Sequence, residues 1–182
     1  ICRKKSFFNE GIIAHVPMSE PSSKELMQLS KNNLDALNIT NVLGGTYLAM
    51  EGPQFSTKAE SNLYRQWGCD VIGMTNMPEA KLAKEAEIRY CSISMVTDYD
   101  CWHQDHDTVD LKMIIKILKQ NTDKSKQFIQ SVSKEYYKGV DFSLDQTKNI
   151  LDTSIITNKN SWDKKTEEKL KTILQRYKKN NN

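Results

Sequence analysis

The sequence has few of the residues that mark several protein classes. Only 7 glycines and 4 prolines occur among its 182 residues, which excludes a collagen-like or low-complexity chain. No apolar run approaches the roughly 20 residues of a membrane-spanning helix, and no secretory signal pattern is visible, so no membrane partner is expected. Hydrophobic residues make up 38% of the chain, which is enough for one domain with a core of its own.

Cysteine is also scarce, and the cysteine spacing does not indicate a zinc site built from C-x-x-C pairs. The four cysteines, Cys2, Cys69, Cys91 and Cys101, form no C-x-x-C pair. A chain of this size and composition seldom needs structural disulfides, so the sequence predicts a reducing, cytoplasmic compartment. Because Ile1 is not a methionine, we expect the chain to be a piece of a longer protein.

The net charge of +3 is unevenly distributed. From residue 158 onward, eight basic side chains stand against three acidic ones, so this tail carries +5 and the rest of the chain −2. A nucleic-acid-binding surface would need a basic stripe interleaved with aromatics or a known reading motif, and neither is present. Residues 158–182 are predicted as a basic C-terminal helix with one apolar stripe, and residues 140–157 as a linker.

Short apolar segments alternate with stretches of helical periodicity. Thr57 and Glu60 have the spacing of a capping box, which predicts the start of one of the helices. Alternation of this kind is typical of βαβ units and predicts an α/β fold. The predicted strands lie at residues 11–16, 42–50, 70–75 and 90–97.

Residues 98–107 hold four carboxylates, two histidines and a thiol within ten positions. One interpretation is a metal site of a zinc-dependent or two-metal hydrolase, built from His103, Asp105, His106 and Asp107. The other is a surface turn whose carboxylates lie at the start of a helix, where the helix dipole favours negative charge. Short spacing of this kind predicts a metal only weakly, and no metal is assigned.

Asp98 and Asp100 follow the predicted strand 90–97 directly. Open α/β sheets bind ligands beyond the carboxyl ends of their strands. A carboxyl group that is buried at such a place has a raised pKa and can donate to a ring nitrogen. The pair therefore predicts a catalytic acid and its partner, while a strand-end aspartate is also a common helix cap.

Two further loops carry candidate ligand-binding residues. Phe55 and Ser56 follow a Gly-Pro turn at the mouth of a helix, where the ring can stack on a ligand and the hydroxyl can contact it; the alternative is a phenylalanine packed into the core. Met74 and Thr75 end a predicted strand and offer an apolar contact and a hydroxyl donor for an anion; the alternative is a plain strand terminus.

These features occur together, and in this order, in one known family. The segments that carry the resemblance are GGTYLAMEGPQFSTKAESNLYRQWGCDVIGMTNMPEAKLAKEAEIRYCSISMVTDYDCW, AHVPMSEP and, more loosely, DTSIITNKNSWDKKTEEKLKTILQRY. They resemble the purine nucleoside phosphorylases, and within that family the group that acts on S-methyl-5′-thioadenosine. The resemblance implies a mixed central sheet flanked by helices, with residues 1–182 as the C-terminal portion of a single domain.

The reaction that the resemblance implies is the phosphorolysis of methylthioadenosine to adenine and 5-methylthioribose 1-phosphate. Phosphate is a co-substrate, and neither a cofactor nor a metal is implied. Asp98 is similar to the acid that assists purine N7 and the exocyclic amine, and Asp100 to the residue that supports it. Phe55 would pack on the purine and Met74 on the ribose, while Thr75 would donate to phosphate.

The resemblance also implies an apolar pocket for the 5′-alkylthio group. Leu111 and Ile114 lie on the helix that lines it, and His15 is similar to a residue that reaches the pocket of a neighbouring subunit. A site completed by a neighbour cannot work as a monomer, so a homotrimer or hexamer is expected.

Ser56 and Asp98 distinguish between two classes of purine. Members of the family that act on 6-oxopurines carry glutamate where Ser56 stands and asparagine where Asp98 stands. The N1 of adenine accepts a hydrogen bond and its amine donates one, which is the reverse of a 6-oxopurine. Each mismatched buried group would cost about 1–3 kcal/mol, so the sequence favours adenine.

A long N-terminal portion of the family has no counterpart in this chain. That portion carries a glycine-rich phosphate loop and an Arg-His pair, and Thr75 is the one phosphate contact that can be matched. We therefore expect the 182 residues alone to be inactive and poorly stable, and to require the missing portion. The alternatives are a phosphorylase of adenosine or of 6-oxopurine nucleosides, a nucleosidase, or a nucleoside-binding fragment.

Overall fold

A computed structural model describes residues 3–8, 10–103 and 111–180, the side chains of residues 111–114 and 180 excepted. The chain divides into two compact units. Unit 1 comprises Ile1–Leu26, Asn76–Cys91 and Asp141–Asn182, and unit 2 comprises Met27–Thr75 and Ser92–Val140. None of the described helices is both long and apolar enough to cross a membrane.

Unit 2 contains a parallel pair of strands joined by a helix. β1 (Tyr47–Ala49) and β2 (Val71–Gly73) pair in register, with Tyr47 opposite Val71 and Ala49 opposite Gly73. The crossover contains α2 (Lys58–Gln66), so the segment is the βαβ unit that the sequence predicts. Gly73 is required here, because a Cβ at this position would collide with the Tyr47 hydroxyl.

The capping box predicted for α2 is present in full. The Glu60 backbone N–H donates to the Thr57 hydroxyl at 3.3 Å, and the Thr57 backbone N–H donates to the Glu60 carboxylate at 2.7 Å. The second bond, together with the Thr57 hydroxyl, lowers the pKa of Glu60. The helix stops before Gly68, whose φ of +74° is a left-handed conformation that glycine adopts easily.

Two longer helices complete unit 2. Most of α1 (Lys24–Ala36) belongs to it, as does all of α4 (Leu111–Tyr137). The Ser131 hydroxyl of α4 donates to the Asn33 side-chain oxygen of α1 at 2.6 Å. The Asn121 side chain of α4 donates to the Val96 carbonyl at 3.2 Å, which ties the segment before Asp98 to this helix.

The strand predicted at 90–97 is wrong for this chain, because the structure assigns no strand to these residues. A strand needs a neighbour to accept and donate its backbone hydrogen bonds, and β1 and β2 pair only with each other among the described residues. Ile93, Met95 and Val96 are exposed as a result. The strand predicted at 11–16 is likewise reduced to a single antiparallel bridge between Ala14 and Ile155.

Unit 1 has its own apolar core, which corrects the prediction of a linker at 140–157. This stretch contains a 3₁₀ helix (Gln146–Asn149) and α5 (Leu151–Ser154), and Leu151 is completely buried. The segment is apolar every few residues because it packs inward rather than connecting two bodies. The buried core residues are Phe8, Ile12, Ile150, Leu151, Leu170 and Leu174.

The tail is also not one helix. It forms a 3₁₀ helix (Lys159–Ser161), α6 (Lys164–Lys169) and α7 (Gln175–Asn180), with a turn between the last two. Asp163 caps α6 by accepting from the backbone N–H of Thr166 at 2.9 Å, and this bond lowers the pKa of Asp163. The predicted apolar stripe docks as expected, since Leu170 and Leu174 are buried in the unit 1 core. α3 (Glu79–Glu85) belongs to the same unit.

Candidate active site

Eight of the nine sequence-predicted site residues belong to unit 2, and six of these lie on three short segments of it. Two of the segments follow β1 and β2, which are parallel and so have their carboxyl ends at the same edge of the sheet. The third follows residues 92–97. The six residues are Phe55, Ser56, Met74, Thr75, Asp98 and Asp100.

Phe55 has an exposed side chain, with 87% of its surface accessible. The alternative that the ring packs into the core is therefore wrong. A large aromatic ring at the mouth of α2 offers its area to a flat ligand, and burying such a ring against a base is favourable. This exposure is what a stacking role requires of the unliganded chain.

Ser56 is half-buried and connects two neighbouring parts of the site. Its hydroxyl donates to the Met50 sulfur at 3.6 Å, and the Cys101 thiol donates to the Ser56 carbonyl at 3.6 Å. The second contact holds the residue after Asp100 against the start of α2. The hydroxyl has one proton, which here points to the sulfur, a weak acceptor, and can turn toward a ligand atom that accepts.

Met74 and Thr75 are placed by close contacts at the end of β2. A Cβ on Gly52 would lie 2.5 Å from the Met74 sulfur, so any larger residue at position 52 would displace the Met74 thioether. Gly52 also has a φ of +67°. The Thr75 hydroxyl is exposed and lies 3.4 Å from the Tyr47 hydroxyl, and either of the two can donate to the other.

The two aspartates differ in burial. Asp98 is exposed, and its carboxylate accepts from the Thr97 hydroxyl at 2.5 Å. Asp100 is half-buried and accepts from the Ser61 hydroxyl at 2.5 Å. The burial of a carboxyl group that the strand-end pattern suggested is thus not found at Asp98 in this chain, and the more enclosed member of the pair is Asp100.

An aromatic cluster follows the acidic pair. The Arg65 guanidinium lies 3.7 Å from the centre of the Trp102 ring, and Tyr99 stacks on His103 with ring centres 4.7 Å apart. His103 is thus engaged with aromatic rings. Its companions in the metal interpretation, Asp105, His106 and Asp107, lie outside the described residues, and within those that are described no metal-ligating cluster of three is found.

Of the other three predicted site residues, two belong to unit 2 and one to unit 1. Leu111 and Ile114 lie in the first turn of α4, and their side chains are outside the description. His15 belongs to unit 1, where its backbone N–H donates to the Ser154 carbonyl at 2.8 Å. Its side chain is exposed.

Ser61 and Gly52 are the site residues that sequence reasoning missed. Ser61 is 1% exposed, whereas Leu63 and Trp67, the large apolar residues of the same helix, are exposed. The apolar residues of α2 lie on its exposed face, so their spacing did not indicate that the face with Ser61 is the buried one. The one available signal was that Gly52 and Ser61 flank the predicted Phe55–Ser56 pair.

Comparison with known proteins identifies what this arrangement is similar to. A family model described as "Phosphorylase superfamily" matches residues 2–135. An S-methyl-5′-thioadenosine phosphorylase of Rhodospirillum rubrum is 54% identical over 157 residues, covering 86% of this chain and 53% of that protein. One of Koribacter versatilis is 47% identical over 178 residues, covering 96% and 59%.

The solved structures agree on the fold. A methylthioadenosine phosphorylase from an antarctic soil metagenomic library has a TM-score of 0.86 and 35% identity, covering 94% of this chain and 60% of that one. A methylthioadenosine phosphorylase from Schistosoma mansoni in complex with adenine has a TM-score of 0.74 at 23% identity, a likeness of fold alone. The predicted α/β fold class is confirmed, and the chain spans little more than half the length of the curated relatives described here.

Proposed function

Because this chain belongs to the phosphorylase superfamily, we propose that it forms the purine-binding portion of a pentosyltransferase that cleaves S-methyl-5′-thioadenosine with phosphate. The products are adenine and 5-methylthioribose 1-phosphate. The observation that carries the proposal is the gathering, in unit 2, of an exposed ring at Phe55, a hydroxyl at Ser56 and carboxylates at Asp98 and Asp100. The identity to methylthioadenosine phosphorylases supports the choice of substrate.

In the proposed reaction, C1′ of the sugar exchanges its bond to a purine nitrogen for a bond to a phosphate oxygen. A phosphate oxygen forms a bond to C1′ of the sugar while the C1′–N9 bond breaks, and its electron pair passes into the purine. A proton held between Asp98 and N7 neutralises the leaving base, and general acid assistance of this kind contributes about 10²- to 10⁴-fold to rate. Met74 covers the ribose and excludes water, which would otherwise compete with phosphate.

Selectivity for adenine follows from Ser56 and Asp98. The Asp98 carboxylate accepts from the amine at C6 of adenine, where a 6-oxopurine carries an oxygen. The Ser56 hydroxyl can donate to the N1 of adenine, whereas a glutamate at the same place would accept from the N1–H of a 6-oxopurine. Each wrong pairing leaves a buried polar group unsatisfied, and such mismatches cost about 1–3 kcal/mol.

We propose that activity requires the N-terminal portion of the superfamily domain. The chain spans 53% of the Rhodospirillum rubrum relative, and Thr75 is the one residue in which the sequence analysis expected a phosphate contact. Val42 is 91% and Val96 62% exposed in unit 2, and burial of such apolar side chains under the N-terminal portion would be favourable. The name "completed enzyme" is used below for this chain joined to that N-terminal portion. The portion comes from the natural polypeptide of this chain or from the Rhodospirillum rubrum relative.

Oligomer and compartment are part of the same proposal. The exposed His15 would complete the 5′-alkylthio pocket of a neighbouring copy, beside Leu111 and Ile114, in a homotrimer or hexamer. The compartment would be the cytoplasm, because the described cysteines Cys69 and Cys101 carry thiols and take part in no disulfide.

The purine preference tests the proposed function. We expect the completed enzyme to show a kcat/KM for methylthioadenosine at least about 100-fold above that for inosine, measured by release of the free base. Adenosine serves as the matched substrate, because it differs from methylthioadenosine only at the 5′ position and from inosine only in the base. The ratio of kcat/KM for adenosine to that for inosine therefore isolates the purine preference. The double variant Ser56→Glu/Asp98→Asn is expected to lower the ratio of kcat/KM for methylthioadenosine to kcat/KM for inosine. Preference for inosine by the unchanged enzyme would contradict the assignment.

A further inference from the structure

Ser61 is the buried residue of α2, and it is linked to the acidic pair across 39 positions of sequence. Its side chain is 1% exposed, and its hydroxyl donates to the Oδ2 atom of Asp100 at 2.5 Å. The geometry points to Ser61 as a positioning residue that fixes the Asp100 carboxylate toward the purine. This inference rests on the proposed function, because it assigns Ser61 a task in the recognition of adenine.

The hydrogen bond has the character of a strong one. An O–H donor to an ionised carboxylate typically gives an oxygen–oxygen distance of 2.5–2.7 Å, and such bonds are about twice as strong as neutral ones. Since Ser61 binds Oδ2, the side chain of Asp100 loses freedom to rotate, and no donor to its Oδ1 atom is found among the described residues. The exocyclic amine of adenine is a donor of the required kind.

Ser61 itself is held in place from both sides. Its backbone N–H donates to the Thr57 carbonyl at 2.9 Å, so it lies one turn from the capping box that fixes the start of α2. The Cys101 thiol donates to the Ser56 carbonyl at 3.6 Å and joins the same two segments a second time. The Asp100 carboxylate is therefore held in place by a rigid helix end rather than by a loop.

A role in helix stability alone does not explain this serine. Serine has a lower helix propensity than alanine, and inside helices its hydroxyl usually bonds back to a carbonyl one turn earlier. Here the hydroxyl instead reaches Asp100. Alanine at position 61 would suit the helix better and would leave the carboxylate without its donor.

The test compares Ser61→Ala with the exposed neighbour Asn62→Ala in the completed enzyme. We expect Ser61→Ala to lower kcat/KM for methylthioadenosine and to weaken adenine binding, measured by calorimetry, about tenfold each, with the KM for phosphate and the melting temperature unchanged. Asn62→Ala is expected to leave all four quantities as they are. Equal adenine affinity in Ser61→Ala and the unchanged enzyme would overturn the inference.

A double-mutant cycle shows whether Ser61 acts through Asp100. In the Asp100→Asn background, Ser61→Ala is expected to have little further effect on adenine binding. The same tenfold loss in that background would overturn the positioning role. Adenine release by the unchanged enzyme separates failure of the Ser61 role from failure of the proposed function. If release occurs and Ser61→Ala behaves like the unchanged enzyme, only the role of Ser61 fails. If the unchanged enzyme releases no adenine, the proposed function fails, and the role of Ser61 fails with it.

Discussion

Replacing Asp98 with asparagine in the completed enzyme is expected to lower kcat for methylthioadenosine phosphorolysis about 10²- to 10⁴-fold. Asparagine has nearly the same volume, so packing is preserved. Its amide cannot hold a proton for purine N7, and it directs N–H donors at an exocyclic amine that is itself a donor. The loss should therefore appear in kcat as well as in KM for the nucleoside, measured under saturating phosphate.

A matched control is available on α4. Asp123 is exposed and lies 3.8 Å from Lys126, an ion pair of the kind that contributes little to stability. Asp123→Asn changes the net charge by the same amount as Asp98→Asn and should leave kcat unchanged. If Asp98→Asn retains the kcat of the unchanged enzyme, the acid is another group, with Asp100 the first to examine.

The C-terminal helix α7 provides the prediction with the largest effect on stability, because Arg176→Ala is expected to lower the free energy of unfolding by about 3 kcal/mol. The Arg176 guanidinium donates to both carboxylate oxygens of Glu87 at 2.5 Å and to Asp152 at 2.8 and 3.1 Å. The Glu87 side chain is only 8% exposed. Without the guanidinium, an ionised carboxylate would remain nearly buried, and the Leu151 backbone N–H is the one other donor to it among the described residues.

Arg176 is charged throughout the pH range in which the protein can be folded. Its hydrogen bonds to Glu87, and next to Asp152, raise the pKa of a side chain that is already strongly basic. Arg176→Lys keeps the charge but not the paired donors, so it should be destabilised less than Arg176→Ala. Adding Glu87→Gln to Arg176→Ala should restore part of the lost stability. Urea unfolding of the completed enzyme measures all three, and equal stability of Arg176→Ala and the unchanged protein would contradict the prediction.

Local sequence signals were sufficient for some elements. The start of α2 was predicted at Thr57 because a capping box needs only residues three positions apart. β1 and β2 were predicted for a similar reason, since each is a short apolar segment that turn residues bound. Such elements depend on neighbours within one turn or one strand, and the sequence displays those neighbours directly.

Other elements depend on partners that sequence periodicity does not identify. Residues 90–97 have the composition of a strand, yet they form none because no described segment pairs with them. Residues 140–157 were predicted as a linker, whereas Ile150 and Leu151 are core residues of unit 1. In each case the outcome was decided by contacts far away along the chain.

The candidate site shows the same division. Phe55, Ser56 and Asp98 could be identified by their place in loops after strands and by resemblance to a family. The hydrogen bond from Ser61 to Asp100 could not, because it joins a helix interior to a loop 39 residues later and needs the folded unit to bring them together. Burial was also beyond prediction, since Asp98 is exposed in this chain and Asp100 is not.

The most direct test of the proposed reaction is the release of adenine from methylthioadenosine by the completed enzyme, with and without phosphate. We predict that release occurs only with phosphate and yields one equivalent of 5-methylthioribose 1-phosphate for each adenine. The 182-residue chain alone, measured in parallel, is expected to release none. Adenine release without phosphate, with free methylthioribose as the second product, would show a nucleosidase and contradict the assignment of phosphorolysis.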